Sequence, residues 1–242
     1  MLNKGDLNFD FHDCTLEKVK KSERKFEIFL LPCQGIFSDI NHISFYEPKI
    51  LKNELSSTDY GRSVWLSYSA CLTEKPFTIS IIFQNDNREH KRLVLSFKRS
   101  NAVTDDITEE KRLLKCWGKS RHSFRFLTAK SDLRIVKRWI NSEFYSNPIV
   151  PRLINDSVRN AMLSLCRSEK TQDMDKINIY QRFDTDYSAE ISDYNMYIPL
   201  LRFSESYDML DCRTFDKDEG LYYMELSLKF LTEVKKLLEK DF

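Results

Sequence analysis

Two alternating apolar runs, joined by a short polar segment, constrain this chain more than any other stretch. Residues 77–83 (Phe-Thr-Ile-Ser-Ile-Ile-Phe) are rich in β-branched and aromatic side chains, and residues 93–97 (Leu-Val-Leu-Ser-Phe) alternate again. The residues between them are polar and turn-forming, beginning with Gln-Asn-Asp-Asn-Arg-Glu at positions 84–89. A period of two places every second side chain on one face of a strand. We therefore predict an antiparallel hairpin in which residues 77–83 pair with residues 91–97.

Further strand-like segments precede the hairpin within the first 103 residues. They are residues 6–11, 26–31, 43–46 and 64–72. Pro32 follows the second of these segments and ends it, because proline has no backbone N–H to donate to a sheet. Together with the hairpin, these segments predict an antiparallel β-sheet domain over residues 1–103.

Helical spacing dominates the rest of the chain, residues 104–242. Thr108, Ser131 and Asn155 or Asp156 each precede apolar residues at helical intervals and are predicted to begin helices. The clearest helix is the last, where the apolar positions on one face are Leu221, Met224, Leu228, Leu231, Val234 and Leu238.

Short strands are also predicted in this second part of the chain. The segments are residues 177–180, residues 196–203 and a stretch around Phe124 and Phe126. The fold class is therefore predicted to be α+β: an antiparallel β-sheet N-terminal domain, residues 1–103, followed by a mixed α+β domain, residues 104–242, that ends in a long amphipathic helix.

Composition excludes several classes of site. The 242 residues include only 5 glycines, with neither GxGxxG nor GxxxxGK, so a glycine-rich phosphate loop is not expected. The six cysteines are far apart without a CxxC pair, which predicts reduced, mostly buried thiols rather than zinc ligands. No apolar run has the length of a signal peptide or a membrane helix, so we expect a soluble, cytoplasmic protein with no membrane partner.

Charge is unevenly distributed along the chain. The net charge is +1, yet residues 104–170 hold 14 Lys and Arg against 8 Asp and Glu, and residues 171–242 hold 9 against 16. The basic residues concentrate at positions 111–138, interleaved with aromatic residues, and can neutralise phosphates. The candidate nucleic-acid-binding residues are Lys115, Arg121, Arg125, Arg134, Lys137 and Arg138. The competing interpretations are a solvated basic face over an aromatic core, neutralised by the acidic last third, and an acidic protein partner.

Three other patterns suggest chemistry, and each has a structural interpretation that we favour. His12 next to Asp13 suggests an oriented base, but neighbours in a strand point to opposite faces, so a turn is favoured. Asp39 with the Glu47-Pro-Lys49 segment imitates a metal-dependent nuclease, although Pro48 disfavours a regular central strand. The acidic run at residues 184–193 suggests a cation site, but it lacks the spacing and glycine of a calcium loop.

The opening of the chain resembles a known family. The Phe-His-Asp-Cys-Thr-Leu segment at residues 11–16 precedes a basic connection, a Phe-Glu-Ile-Phe-Leu strand and Ile-Ser-Phe-Tyr at 43–46. This order resembles the small β-rich immunity proteins of bacterial polymorphic toxin systems, the group called immunity protein 50. The resemblance covers residues 7–103 and departs from the family at Cys14, where a small alanine is usual. It implies a binding protein with no catalytic residues.

The sequence thus favours non-catalytic recognition of a macromolecule, with a protein as the leading partner and a bacterial immunity or defence role implied by the resemblance. Nucleic-acid binding through residues 111–138 is the first alternative, and a metal-dependent nuclease is the second. No catalytic residue, metal or cofactor is predicted.

Overall fold

The computed structural model describes residues 14–32, 40–104, 108–118, 120–166, 176–207 and 213–241. These residues divide into two compact units, one ending after residue 104 and the other beginning at residue 108. The strand predicted at residues 6–11 lies outside the described residues.

The first unit is an antiparallel sheet, as predicted, and it has eight strands where the sequence predicts six strand segments. Its strands are β1 (Thr15–Lys21), β2 (Lys25–Leu31), β3 (Ile40–Tyr46), β4 (Lys49–Asn53), β5 (Val64–Cys71), β6 (Phe77–Gln84), β7 (His90–Phe97) and β8 (Arg99–Thr104). They are arranged in the order β4-β7-β6-β5-β1-β2-β3-β8.

The predicted hairpin is confirmed in its register. Strands β6 and β7 pair from Phe77 opposite Phe97 to Gln84 opposite His90. The alternation decides this register, because it puts Ile79 and Ile81 on the buried face, where they meet leucines of β7. A slip by one residue would move these apolar side chains to the other face.

Strands β1, β4 and β8 were not predicted. Strand β1 lies between two predicted strand segments, residues 6–11 and 26–31. Strands β4 and β8 lie at the two ends of the strand order, and each pairs with one neighbour only. Glu47 and Pro48 connect β3 to β4, and Lys98 connects β7 to β8. Both edge strands are largely polar, since strands with little buried surface need no apolar alternation.

The sheet has its own hydrophobic core. Trp65, 1% exposed, lies in it with edge-to-face contacts to Phe83 and Tyr68 at centroid distances of 5.4 and 6.1 Å. Burying each large apolar side chain contributes about 1.5–3 kcal/mol, so a cluster of this kind stabilises the sheet unit.

The second unit is helical throughout the part that the structure describes. Its helices are α1 (Thr108–Trp117), α2 (Arg121–Ile140), α3 (Ile149–Leu165), α4 (Lys176–Tyr187), α5 (Ile198–Ser206) and α6 (Lys217–Asp241). The strand predictions there were wrong: residues 177–180 belong to α4, Phe124 and Phe126 to α2, and residues 196–203 to a 3₁₀ turn and α5. Pro199 fits the start of α5, where the first N–H groups have no helical acceptor.

Two predicted helix starts are also corrected. Ser131 is a buried residue in the middle of α2 and does not begin a helix. The N-cap of α2 is Ser120, and the Ser120 hydroxyl accepts a hydrogen bond from the Ser123 N–H at 3.1 Å. Helix α3 begins at Ile149, six residues before the predicted Asn155, and it accommodates Pro151 in its first turn. Gly118 follows α1 with a φ of +71°, a left-handed conformation that glycine adopts readily at the end of a helix.

Helix α3 packs against both α2 and α6 and forms the centre of the second unit. The predicted apolar face of α6 is largely confirmed, but Leu228 is 44% exposed, and Leu226 and Phe230 are buried instead.

Two of the four described cysteines, Cys14 and Cys166, are buried, and the other two, Cys71 and Cys116, are exposed.

Candidate nucleic-acid interface

The predicted basic residues occupy two consecutive helices. Lys115 is on α1, and α2 carries Arg121, Arg125, Arg134, Lys137 and Arg138. Of the interleaved aromatic residues, Trp117, Phe126 and Trp139 are buried, whereas Phe124 is partly exposed. The three buried residues form the core beneath the basic surface and offer no face on which a base could stack.

Arg134 has a structural role. Its guanidinium donates to the Glu110 carboxylate at 3.2 Å, and Glu110 is only 3% exposed. Next to it, Glu109 accepts from Lys130 and, at 3.0 Å, from Lys235 of α6. These two hydrogen bonds lower the pKa of Glu109 to about 2. The ion pairs hold α1 against α2 and α6, so Lys130 and Arg134 are already neutralised.

Arg121, Arg125 and Arg159 differ from Arg134 because no acidic side chain among the described residues forms an ion pair with them. Among the described residues, none of the three makes an ion pair or a side-chain hydrogen bond. Arg125 is half-buried, and its pKa is lowered, first by burial and then by the nearby charge of Arg121, with Arg159 adding to the effect. We call Arg121, Arg125 and Arg159 the arginine cluster.

Two contacts between α2 and α3 explain how the cluster forms. His122 Nδ1 is 2.9 Å from the Ser164 carbonyl oxygen, and the Ser157 hydroxyl donates to the Ala129 carbonyl at 2.9 Å. Helices α2 and α3 therefore run antiparallel, and Arg125 lies between these contacts, opposite the part of α3 that carries Arg159. Arg121 is one turn before Arg125 on the same face of α2.

Sequence analysis missed Arg159, which lies outside the basic stretch, 34 positions after Arg125 in the chain. A signal was present, because Arg152, Asp156, Arg159 and Asn160 recur at helical spacing on one face of a helix whose other faces are largely apolar. That polar stripe marks the face of α3 that is not packed against the core.

A buried carboxyl lies further along the same pair of helices. Asp132 is 5% exposed, and burial, reinforced by the neighbouring charge of Asp156, raises its pKa to about 8. The side chain of Asn160 hydrogen-bonds to it. The raised pKa favours the protonated form of Asp132, which reduces the negative charge that this carboxyl contributes beside the arginine cluster.

The remaining candidates do not assemble into a site. Glu47 occupies the turn after β3 with a φ of +50° and pairs with Lys98 at 2.5 Å, which lowers its pKa. Asp39, His12 and Asp13 lie outside the described residues, so the nuclease and turn interpretations that depend on them stay predictions.

The acidic run at residues 184–193 is divided among different partners. Asp184 is hydrogen-bonded to Tyr194, Asp186 pairs with Arg182 at 3.3 Å, and Glu190 pairs with Lys240 at 3.5 Å. Within the described part of the chain, no group of three His, Cys, Asp or Glu side chains is arranged to hold a metal ion.

Comparison of the chain with protein-family models, with curated proteins and with solved structures gives no match. The resemblance to immunity proteins therefore stays a prediction. None of the helices, as far as they are described, combines the length and apolar character needed to cross a membrane.

Proposed function

We propose that the protein binds nucleic acid without cleaving it, through the arginine cluster on α2 and α3. The observation that carries this proposal is that Arg121, Arg125 and Arg159 come together without an acidic partner among the described residues. Like charges held together raise the free energy of the unbound protein, and a phosphate placed among them relieves that repulsion. For this reason we put nucleic acid ahead of the protein partner that the sequence favours.

The near-zero net charge does not oppose this proposal. At physiological ionic strength charges are screened over about 8 Å, so a phosphate responds to the guanidinium groups near it rather than to distant acidic residues. The sequence-based expectation was that the acidic last third neutralises the basic stretch. Among the described residues, Lys130 and Arg134 pair with Glu109 and Glu110 of α1, within the basic third itself.

The contacts that arginine makes with phosphate indicate how far the site can distinguish one nucleic-acid sequence from another. Arginine binds phosphate oxygens through its planar fork of N–H groups, and phosphate contacts carry no sequence information. Because Trp117, Phe126 and Trp139 are buried, stacking on bases is not available from them. We therefore expect binding that tolerates any sequence and weakens steeply with salt.

The test is fluorescence anisotropy with labelled single-stranded RNA, single-stranded DNA and duplex DNA over a salt series. The double variant Arg125→Gln/Arg159→Gln should bind at least 10-fold more weakly, with the salt slope reduced by roughly one for each arginine removed. The charge-matched control is Lys217→Gln/Lys229→Gln, which removes two exposed positive charges from α6. The control should keep the affinity and slope of the unmodified protein.

Two results would contradict the proposal. The first is failure of the unmodified protein to bind any of the three nucleic acids at low salt. The second is equal loss of binding in the arginine variant and in the control, because this would show that only the overall charge matters.

A further inference from the structure

A second candidate site lies in the helical unit, between α4 on one side and the 3₁₀ turn Tyr194–Tyr197 with α5 on the other. It is a cleft of about 290 Å³, close to the lower limit for small-molecule sites. Its floor is apolar and aromatic, formed by Tyr180, Phe183 and Leu201, all at most 9% exposed. Sequence analysis assigned strands to this region and did not identify the cleft.

Charged groups of both signs surround this floor. Arg202 and Glu205 of α5 line the cleft, together with Asp184 of α4. Arg202 and Glu205 are three residues apart, which places them on the same side of the helix. Neither makes an ion pair or a side-chain hydrogen bond within the part of the chain that the structure describes. A guanidinium and a carboxylate therefore border the same cleft without neutralising each other.

Hydrogen bonds hold the walls of the cleft in place. The Tyr180 hydroxyl is 2.6 Å from the Ser204 hydroxyl, which in turn donates to the Asn155 side-chain oxygen at 2.7 Å. This buried chain fixes α4 and α5 against α3. On the other side, Tyr194 hydrogen-bonds to the Asp184 carboxylate, so that one carboxylate is oriented before any ligand arrives. A site that is already ordered loses less entropy when it binds a ligand.

We propose that this cleft binds a small zwitterion of the α-amino acid class, with an apolar side chain. The ligand carboxylate lies against the Arg202 guanidinium, where a bidentate pair can form. The ligand ammonium lies against Glu205 and Asp184, and the apolar side chain lies against Ile198 and Leu201. This arrangement uses both charge types and the apolar floor, whereas a simple cation or anion would leave one charged group unmatched.

The test is isothermal titration calorimetry of the full chain with L-leucine and L-phenylalanine. N-acetyl-L-leucine and L-leucinamide serve as ligands that each lack one charge. We expect each blocked derivative to bind at least 10-fold more weakly than leucine. In the variant Arg202→Gln, leucine binding should fall at least 10-fold while leucinamide binding stays unchanged. In Glu205→Gln, the same loss should occur for leucine and not for N-acetyl-leucine.

Lys229→Gln, on an exposed position of α6, is the control and should bind leucine normally. Arg202 and Glu205 are both exposed, so their variants should keep the melting temperature of the unmodified protein. The proposal is overturned if neither amino acid binds, or if the blocked derivatives bind as well as leucine. It is also overturned if Arg202→Gln weakens leucine and leucinamide equally. None of these outcomes depends on nucleic-acid binding.

Discussion

The carboxyl of Asp132 lies at the α2–α3 contact, where burial and the charge of Asp156 raise its pKa to about 8. In the unfolded chain the same carboxyl titrates near 3.8. Between these two pH values the folded protein binds one proton more than the unfolded chain. The free energy of unfolding therefore decreases as the pH rises from about 4 to about 8. Above that pH this carboxyl makes no further contribution to the pH dependence.

We predict that Asp132→Asn removes this dependence, because an amide keeps the shape of the protonated carboxyl and cannot ionise. The variant should be more stable than the unmodified protein at pH 8, on the order of 2–4 kcal/mol, and nearly equal to it at pH 4. Urea unfolding followed by circular dichroism at several pH values measures this difference. Parallel stability curves for the two proteins across this range would contradict the prediction.

At the scale of helices, the docking of α1 depends on a buried ion pair. Glu110 is 3% exposed and accepts from Arg134, whereas the neighbouring Glu109 has a side chain that is 46% exposed. We predict that Glu110→Gln destabilises the second unit by about 2 kcal/mol, since it leaves the Arg134 guanidinium without its carboxylate. Chemical denaturation at pH 7 measures this loss.

Glu109→Gln provides the matched comparison on the same turn of α1. Its exposed pairs with Lys130 and Lys235 should be worth less than about 1 kcal/mol, because solvent screens them. Since the folded pKa of Glu109 is lowered to about 2 from 4.5, its contribution is present above pH 4.5 and is lost as the pH falls towards 2. Equal destabilisation by the two substitutions would show that the burial of a carboxylate does not decide how much stability its loss costs.

The elements that the sequence predicted correctly are those whose apolar period is unambiguous. The β6–β7 hairpin alternates over seven residues, and α6 keeps a helical period over most of its length. Residues 177–180 are too short for a period of two to be distinguished from one helical turn. At residues 196–203, β-branched and aromatic residues suggested a strand, but this segment forms helical structure in which α5 packs against α3.

The sequence predicts which basic residues belong to the candidate interface, but not which of them are paired with acidic side chains. The sequence identifies Arg125 and Arg134 equally, as basic residues on one helix. Only the tertiary structure separates them, because Glu110 faces Arg134 and no described acid faces Arg125. Arg159 joins the cluster through the antiparallel packing of α2 and α3, and this information is absent from any local window of the sequence.

At the scale of the whole molecule, each compact unit has its own core. The core of the sheet unit consists of residues between Cys14 and Phe97, including the central Trp65. In the helical unit, α3 supplies a core of its own against α2 and α6. A unit that buries its own apolar surface does not need the other one in order to fold.

We therefore predict that residues 1–106 and residues 107–242 each fold when they are expressed separately. Each fragment should show a cooperative thermal transition and dispersed amide resonances in a ¹H–¹⁵N NMR spectrum. Most of these resonances should overlay those of the full chain, because the core contacts of each unit are retained. Fragments cut inside a unit, for example between β5 and β6, serve as controls and should not fold, because they separate strands that pair along their length. Loss of the cooperative transition in either fragment would show that contacts between the units are needed for stability.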